Sequence, residues 1–186
     1  MVNIAIFASG SGSNFENLVR KKEQYNVSFL FCDRKDASAI QRAKNLGIEY
    51  RYASIIKEKE DFENKILYFL EEFKVDLIVL AGYMKIIGKS ILDKWEGKII
   101  NIHPSLLPKY KGANAIKQAF ENNEKEYGIT IHYVDEGVDT GEIIAQDSFI
   151  AKPNETLEEI THKIHSLEHN LYPKIINRLS KELKEK

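Results

Sequence analysis

Residues 77–81 read Leu-Ile-Val-Leu-Ala, an apolar run without a polar face. A β-strand alternates its side chains between two faces, so a strand of this composition is buried on both sides. Strands buried on both sides lie in the centre of parallel sheets that helices cover above and below. The run therefore predicts the central strand of an α/β fold.

The segments on either side of this run alternate between short apolar stretches and amphipathic ones. Further strands are expected at residues 2–8, 27–32, 48–52 and 98–102, and helices at 13–23, 37–46, 57–73 and 86–95. The 57–73 segment places its large apolar residues in one stripe at helical spacing. Such strand–helix alternation predicts right-handed βαβ units and a doubly wound, mostly parallel, Rossmann-like sheet with helices on both faces.

The pattern changes after Pro104. A loop is expected at 106–112 and a helix at 113–121. Two later stretches, 127–134 and 142–150, are joined by a connection rich in turn residues, which predicts an antiparallel C-terminal strand pair. A final helix is expected from about Pro153 to Leu179.

Bulk composition excludes several classes of protein. The 186 residues carry a net charge of -1, which gives no sign of a nucleic-acid partner. The N-terminus lacks the basic and long apolar segments of a signal peptide or membrane span. Cys32 is the single cysteine, so no internal disulfide forms and a reducing, cytoplasmic location is expected. Its apolar surroundings indicate a core residue rather than a nucleophile.

The strand at 98–102 runs into Asn101-Ile-His103-Pro104, the most informative polar stretch of the chain. Asn101 and His103 are two residues apart and project from one face, and Pro104 ends the strand. In open α/β sheets, ligands bind at the carboxyl ends of strands. An amide donor beside an imidazole suits chemistry at a carbonyl carbon. The alternative is a polar strand end that only caps a turn.

Ser9-Gly-Ser-Gly12-Ser13-Asn14 lies between the first strand and the first helix. Glycines let the backbone approach an anion, and a helix N-terminus offers free N–H groups, so the loop suits a phosphomonoester. It matches neither a dinucleotide fingerprint nor a P-loop, which argues against Asp33 as a ribose-binding acid for NAD. The alternative is a tight turn that caps the helix.

Asp139 lies in a glycine-rich turn and is either a turn aspartate or a partner of His103, where a carboxylate would favour the charged imidazole. His132, on an alternating strand, is expected to be structural. The spacing of these three residues does not favour a metal site. The three histidines of the last helix, His162, His165 and His169, are interpreted as packing or solvent-facing.

With these motifs located, the chain resembles the phosphoribosylglycinamide formyltransferases, folate-dependent enzymes of purine synthesis, over essentially its whole length. The resemblance is carried by four segments: the phosphate loop at 9–14, LAGYMKII at 80–87, NIHPSLLP at 101–108 and HYVDEGVDTG at 132–141. It implies a single domain over 1–186, with an N-terminal βαβ phosphate-binding half at 1–100 and a catalytic and folate-binding half at 101–186.

The resemblance also implies direct transfer of a formyl group from 10-formyltetrahydrofolate to the amine of glycinamide ribonucleotide, without metal. The implied catalytic residues are Asn101, which would hold the formyl oxygen, His103, which would be charged and donate a proton, and Asp139, which would favour that charge. The implied substrate-binding residues are Gly12, Ser13, Asn14 and Glu168. The implied folate-binding residues are Lys59, Met84, Lys85, Ile86 and Ile87, together with Asn101.

Two departures from the family pattern are expected to affect substrate affinity rather than chemistry: Ile116 stands where many relatives have His, and Lys59 stands where relatives often have Arg. The alternatives are another formyl-folate enzyme, such as a formyltetrahydrofolate hydrolase or a methionyl-tRNA formyltransferase, or a non-catalytic phosphate-binding module. The hydrolase would carry an extra N-terminal domain, and the tRNA enzyme a C-terminal domain and a basic surface. The sequence does not assign an oligomeric state.

Overall fold

The computed structural model describes residues 1–54 and 59–185, with nothing described of the Lys59 side chain. The strands are β1 (Val2–Phe7), β2 (Tyr25–Cys32), β3 (Tyr50–Tyr52), β4 (Leu77–Leu80), β5 (Ile99–His103), β6 (Glu126–Tyr133) and β7 (Ile143–Ile150). The helices are α1 (Ser13–Arg20), α2 (Ser38–Leu46), α3 (Lys59–Glu72), α4 (Lys89–Lys94), α5 (Ala115–Glu121) and α6 (Leu157–Lys184).

The strands form one seven-stranded sheet in the order β3-β2-β1-β4-β5-β6-β7. Strands β1 to β5 pair with one another in parallel, whereas β6 pairs antiparallel with both β5 and β7. This confirms the predicted doubly wound, mostly parallel sheet and its antiparallel C-terminal strands. β4 is the middle strand and its four residues are all buried, as its composition predicts. Both halves of the chain contribute strands to the same sheet.

Alternate residues of each central strand enter two separate cores, one on each face of the sheet. In β1, Ile4 and Ile6 pack with the apolar sides of α1, α2 and α6, while Ala5 and Phe7 pack with α3 and α4. Cys32 is buried in the first of these cores, and burial raises the pKa of its thiol to about 12. Cys32 is therefore the core residue that the sequence predicts.

Several bounds differ from the sequence prediction. The helix expected at 86–95 is shorter, because residues 82–88 form a loop after β4 and α4 begins at Lys89. The last helix begins at Leu157 rather than at Pro153, because Thr156 and Glu159 form a capping box there. It continues past Leu179 to Lys184, with its apolar side against the sheet. No helix in the described part of the chain is long and apolar enough to cross a membrane.

Three loops meet at one edge of the sheet. Since β1, β4 and β5 are adjacent and parallel, their carboxyl ends lie side by side. The glycine-rich loop follows β1, the segment from Gly82 follows β4, and Asn101 and His103 end β5. The fold thus brings three of the four motifs to a single edge, where ligands bind in open α/β sheets.

Candidate active site

The polar face of β5 carries Asn101 and His103, on the side of the sheet opposite Ile100 and Ile102. Antiparallel pairing places Asn101 directly across from His132 of β6. His103 and His132 are buried, and Asn101 is half-buried. Asn101 Nδ2 lies 3.2 Å from His132 Nε2. The strand end is therefore part of a polar cluster.

Asp139 reaches this cluster from the loop between β6 and β7. Its backbone has a left-handed φ of 52°, which is uncommon outside glycine but most accessible to Asp and Asn. The return to β7 passes so close to β6 that a Cβ at Gly141 would lie 1.8 Å from the Tyr133 carbonyl oxygen. Glycine at this position thus permits the turn that aims Asp139 at the strand end.

The Asp139 carboxylate lies close to all three polar side chains. Its Oδ2 is 3.3 Å from His103 Nδ1, and its Oδ1 is 3.5 Å from both His132 Nε2 and Asn101 Nδ2. The backbone N–H of Gly112 also donates to Oδ2 at 2.8 Å. The hydrogen bond with His132, then the Gly112 N–H and the charge of His103, lower the pKa of Asp139 to about 2 against the opposing effect of burial. Asp139 is therefore ionised at neutral pH.

Both ring nitrogens of His103 face acceptors. Nδ1 faces the Asp139 carboxylate, and Nε2 lies 2.8 Å from the Tyr110 carbonyl oxygen. A neutral imidazole has one N–H and one lone pair, so it would set its lone pair against one of these oxygens. A doubly protonated ring donates to both. Each ring nitrogen of His103 therefore has a hydrogen-bond acceptor within the site.

His132 also lies in this polar cluster. It was expected to be structural. Its hydrogen bond is the largest cause of the lowered pKa of Asp139, and its ring contacts Asn101. Its Nδ1 lies 2.7 Å from the Tyr133 carbonyl oxygen, and its Nε2 faces Asn101 and Asp139. The signal that could have found it is the pairing of β5 with β6. Ile116, which is expected to affect substrate affinity, is partly buried against the sheet core.

The glycine-rich loop wraps the start of α1. Gly12 is the residue before the helix and has a φ of +75°. A Cβ there would lie 2.6 Å from Ala39 Cβ, so the position requires glycine for both conformation and space. The N–H groups of the first helical turn have no partner within their helix, and Ser13 and Asn14 lie in that turn. This arrangement is suited to an anion.

Asn14 links this loop to α6. Its Nδ2 donates to Glu168 Oε2 at 2.9 Å, and Glu168 is buried. Among the described residues, the buried Asn14 Oδ1 has no hydrogen-bond partner. The same Glu168 oxygen lies 3.0 Å from His165 Nδ1, and that contact raises the pKa of His165. His165 is exposed, in agreement with the expectation that it packs or faces solvent, and it is linked to the glycine-rich loop only through Glu168.

The segment expected to bind folate has a mixed exposure. Met84 is 80% exposed and Ile86 is 71% exposed, whereas Ile87 is buried against α3 and α4. Large apolar side chains this exposed offer a surface to an apolar ligand. The segment borders a cavity of about 230 Å³. The Lys59 side chain, expected to contact folate, lies outside the described part of the structure.

A buried polar contact joins this segment to the glycine-rich loop. The Ser9 hydroxyl donates to Asp33 Oδ1 at 2.6 Å and accepts the backbone N–H of Met84 at 2.9 Å. Lys85 Nζ lies 3.7 Å from Asp33 Oδ2. The glycine pattern argues against Asp33 as a ribose ligand. In the structure, Asp33 connects the glycine-rich loop to the segment that follows β4. Within residues 1–54 and 59–185, no group of His, Cys, Asp and Glu is arranged to hold a metal ion.

Comparison with known proteins defines the class. The formyl transferase family model matches residues 2–176, so the chain belongs to that family. The chain is 46% identical to phosphoribosylglycinamide formyltransferase of Bacillus subtilis, over 96% of this chain and 95% of that protein.

Solved structures within the family agree with this similarity. Glycinamide ribonucleotide transformylase 1 from Geobacillus kaustophilus has a TM-score of 0.93 at 43% identity, covering 96% of this chain and 98% of that one. Phosphoribosylglycinamide formyltransferase from Streptococcus pneumoniae has a TM-score of 0.92 at 40% identity, covering 96% and 99%. The particular members that the chain matches over almost their whole length are thus glycinamide ribonucleotide formyltransferases.

Proposed function

We infer that the protein is a phosphoribosylglycinamide formyltransferase, which transfers a formyl group from 10-formyltetrahydrofolate to the amine of glycinamide ribonucleotide in purine biosynthesis. The observation that supports this inference is that Asn101, His103 and Asp139 lie together at the carboxyl ends of the parallel strands. The glycine-rich loop lies at the same end of the sheet. A phosphate-binding module would explain that loop but not the buried polar cluster.

The proposed reaction needs no covalent enzyme intermediate. The substrate amine attacks the formyl carbon, a C–N bond forms, and the carbonyl electron pair moves onto oxygen. The tetrahedral species then loses the amine proton, N10 of the folate takes up a proton as its bond to carbon breaks, and the carbonyl forms again. The protein must therefore stabilise one developing negative charge and move one proton.

Asn101 and the imidazolium of His103 suit the first task. Asn101 Nδ2 carries two hydrogens and lies 3.2 Å from His132 Nε2 and 3.5 Å from Asp139 Oδ1, so the N–H at the longer contact is the one proposed to turn to the formyl oxygen. A preorganised donor of this kind contributes roughly 3–4 kcal/mol to the transition state. The positive charge of His103 adds to the same stabilisation. Asp139, ionised at neutral pH, favours that charge and accepts the amine proton through water.

The phosphate of glycinamide ribonucleotide is proposed to bind at Gly12, Ser13 and Asn14. Support comes from the helix start at Ser13 and the close approach of Gly12 to α2. Glu168 is proposed to hold ribose hydroxyls, because its carboxylate accepts hydrogen bonds and the neighbouring Asn14 Oδ1 lacks a donor among the described residues.

The folate ring is proposed to bind along Met84, Lys85, Ile86 and Ile87, with Lys59 at its margin. The exposed apolar side chains of Met84 and Ile86 fit a flat, largely apolar ring. The backbone of this segment is fixed by the Ser9 hydroxyl, which leaves other backbone groups to read the ring edge. A cytoplasmic location belongs to the same proposal, since a lone buried cysteine suits a reducing compartment.

An absorbance assay for consumption of 10-formyltetrahydrofolate, run with and without glycinamide ribonucleotide, tests the proposal. We expect consumption only with glycinamide ribonucleotide present. Consumption without it would instead identify a formyltetrahydrofolate hydrolase, and consumption only with methionyl-tRNA would identify the tRNA enzyme. If 10-formyltetrahydrofolate is not consumed under any of these conditions, a non-catalytic phosphate-binding module is the remaining candidate function.

A further inference from the structure

The acceptor for His103 Nε2 lies on the loop that follows β5. Tyr110 supplies its backbone carbonyl oxygen at 2.8 Å. On the same loop, the Ser105 hydroxyl donates to the Lys109 carbonyl at 2.6 Å. The direction of the Tyr110 carbonyl therefore decides whether His103 can donate from Nε2 while Nδ1 donates to Asp139.

Tyr110 holds this carbonyl in a conformation that tyrosine does not favour. Its φ is +52°, in the left-handed region where a Cβ crowds the backbone. Asn and Asp tolerate that region better than a bulky side chain does. The conformation must therefore be maintained by contacts of the residue with the rest of the protein.

Packing behind the loop is incomplete. A cavity of about 480 Å³ lies between residues 104–110 and residues 123–128, and none of Asn101, His103 and Asp139 lines it. This cavity is open to solvent, so the loop borders solvent rather than packed side chains on that side. The polar contacts that the loop makes near this cavity therefore contribute to holding the loop in place.

One carboxylate anchors the loop near this cavity. Tyr110 Oη donates to Glu124 Oε1 at 2.9 Å, and Lys109 Nζ lies 3.0 Å from the same oxygen. Glu124 follows α5, where its backbone N–H donates to the Ala119 carbonyl. Hydrogen bonds from Lys109 and Tyr110 hold the pKa of Glu124 below its usual range, so it is ionised at neutral pH. The backbone of Glu124 is thus held by the end of α5.

We propose that Glu124 is a positioning residue for formyl transfer: it anchors the Tyr110 ring so that the Tyr110 carbonyl holds His103 Nε2–H. The inference rests on the proposed function, because it assigns His103 the role given there. Glu124 acts through Tyr110 and touches neither substrate.

Tyr110→Phe and Glu124→Ala both remove this anchor, while Glu124→Gln keeps an oxygen that can accept from the Tyr110 hydroxyl. We expect the first two to lower kcat about 10-fold, with KM for both substrates nearly unchanged, because small misplacements of a catalytic group are costly. Glu124→Gln is expected to retain most of the activity. Lys109→Ala is the matched control, since it removes the ion pair and leaves the Tyr110–Glu124 bond.

The pH profile and NMR separate positioning from a general loss of structure. In Tyr110→Phe, we expect the alkaline limb of kcat to move to lower pH, because the backbone carbonyl of residue 110 is no longer held against His103 Nε2 through the ring. Long-range ¹H–¹⁵N spectra of the imidazoles are expected to show a shifted His103 Nε2 signal in Tyr110→Phe and an unchanged one in Lys109→Ala. Melting temperatures establish that each variant is folded.

An unchanged His103 signal in folded Tyr110→Phe would overturn the proposal, as would a kcat loss of equal size in Lys109→Ala. The NMR measurement needs no substrate. A shifted His103 signal in a protein that fails to transfer formyl groups would therefore refute the proposed function and leave the Glu124 anchor standing.

Discussion

His103 and Asp139 face each other with Nδ1 3.3 Å from Oδ2, and the carboxylate is ionised because His132 and the Gly112 N–H hold the pKa of Asp139 near 2. A carboxylate this close favours the charged imidazole. The pair thus places an ionised carboxylate directly against the His103 ring at neutral pH.

Asp139→Asn is expected to cut kcat at neutral pH by about 10²- to 10⁴-fold, the range for loss of an acid–base partner. The variant removes the negative charge beside His103 Nδ1, so activity should recover in part on acidification, down to the pH where the attacking amine is itself protonated. A pH–rate profile measures this. Asp147→Asn, the same change on an exposed strand residue, is the control. Neutral-pH turnover like that of the wild type would contradict a catalytic Asp139.

His103→Ala is expected to remove most of the turnover, by about 10²-fold or more, while leaving the fold intact. The side chain is buried but faces polar neighbours, so its loss affects the site more than the core. Steady-state rates with circular dichroism check both parts. His162→Ala, an exposed histidine of α6, is the control. A His103→Ala enzyme with near-normal rates would rule out the assigned role.

Asn14→Ala is expected to weaken binding of glycinamide ribonucleotide much more than binding of a folate analogue. Asn14 lies in the first turn of α1 and connects to Glu168, whereas the folate segment contacts Ser9 on the other side of the loop. Calorimetric titration with each ligand separately decides the matter. Equal losses for both ligands would indicate general damage instead of a phosphate subsite.

Gly12→Ala and Gly10→Ala form a matched pair within the glycine-rich loop. An added Cβ at Gly12 meets Ala39 at 2.6 Å in a left-handed conformation, while one at Gly10 meets nothing within 4 Å. Overpacking of this kind costs roughly 1–3 kcal/mol, so Gly12→Ala should lower the free energy of unfolding and Gly10→Ala should leave it nearly unchanged. Urea unfolding measures both. Similar values for the two variants would show that the loop adapts to the added methyl group.

Sequence periodicity was sufficient for the sheet, because β4 lacks a polar face and the flanking elements alternate regularly. The sequence pattern also predicted that Asn101 and His103 share one face of β5, because the alternation of side chains along a strand depends only on local sequence. His132 could not be assigned in the same way. Its role depends on which residue of β5 it pairs with, and a shift of one residue would have turned it to the other face.

The link from His165 to the glycine-rich loop could not be predicted for a related reason. Its contact with Glu168 is local, three residues along α6, but its relevance comes from Asn14, which is 154 residues from Glu168. Helical spacing shows that His165 shares a face with other histidines and says nothing about what that face meets. The packing of α6 against α1 supplies that information, and it follows from tertiary structure alone.

His132→Ala is expected to raise the pKa of Asp139 from about 2 toward its ordinary value of 3.8, because the His132 hydrogen bond is the largest cause of the depression. A depressed carboxyl pKa contributes stability that is present above the unfolded value and is lost as pH falls through the folded one. For wild-type Asp139, that window runs from about pH 4 down to about pH 2, and the whole shift corresponds to about 2 kcal/mol.

The variant should therefore lose part of the acid-sensitive stability of the wild type, and the two unfolding free energies should converge in that component below about pH 2. NMR titration of the Asp139 carboxyl carbon in wild type and in His132→Ala measures the pKa directly. His162→Ala, which leaves the cluster untouched, should titrate like the wild type. If the Asp139 pKa stays near 2 in His132→Ala, the Gly112 N–H and His103 hold the carboxylate unaided, and His132 is the structural residue that its strand position first suggested.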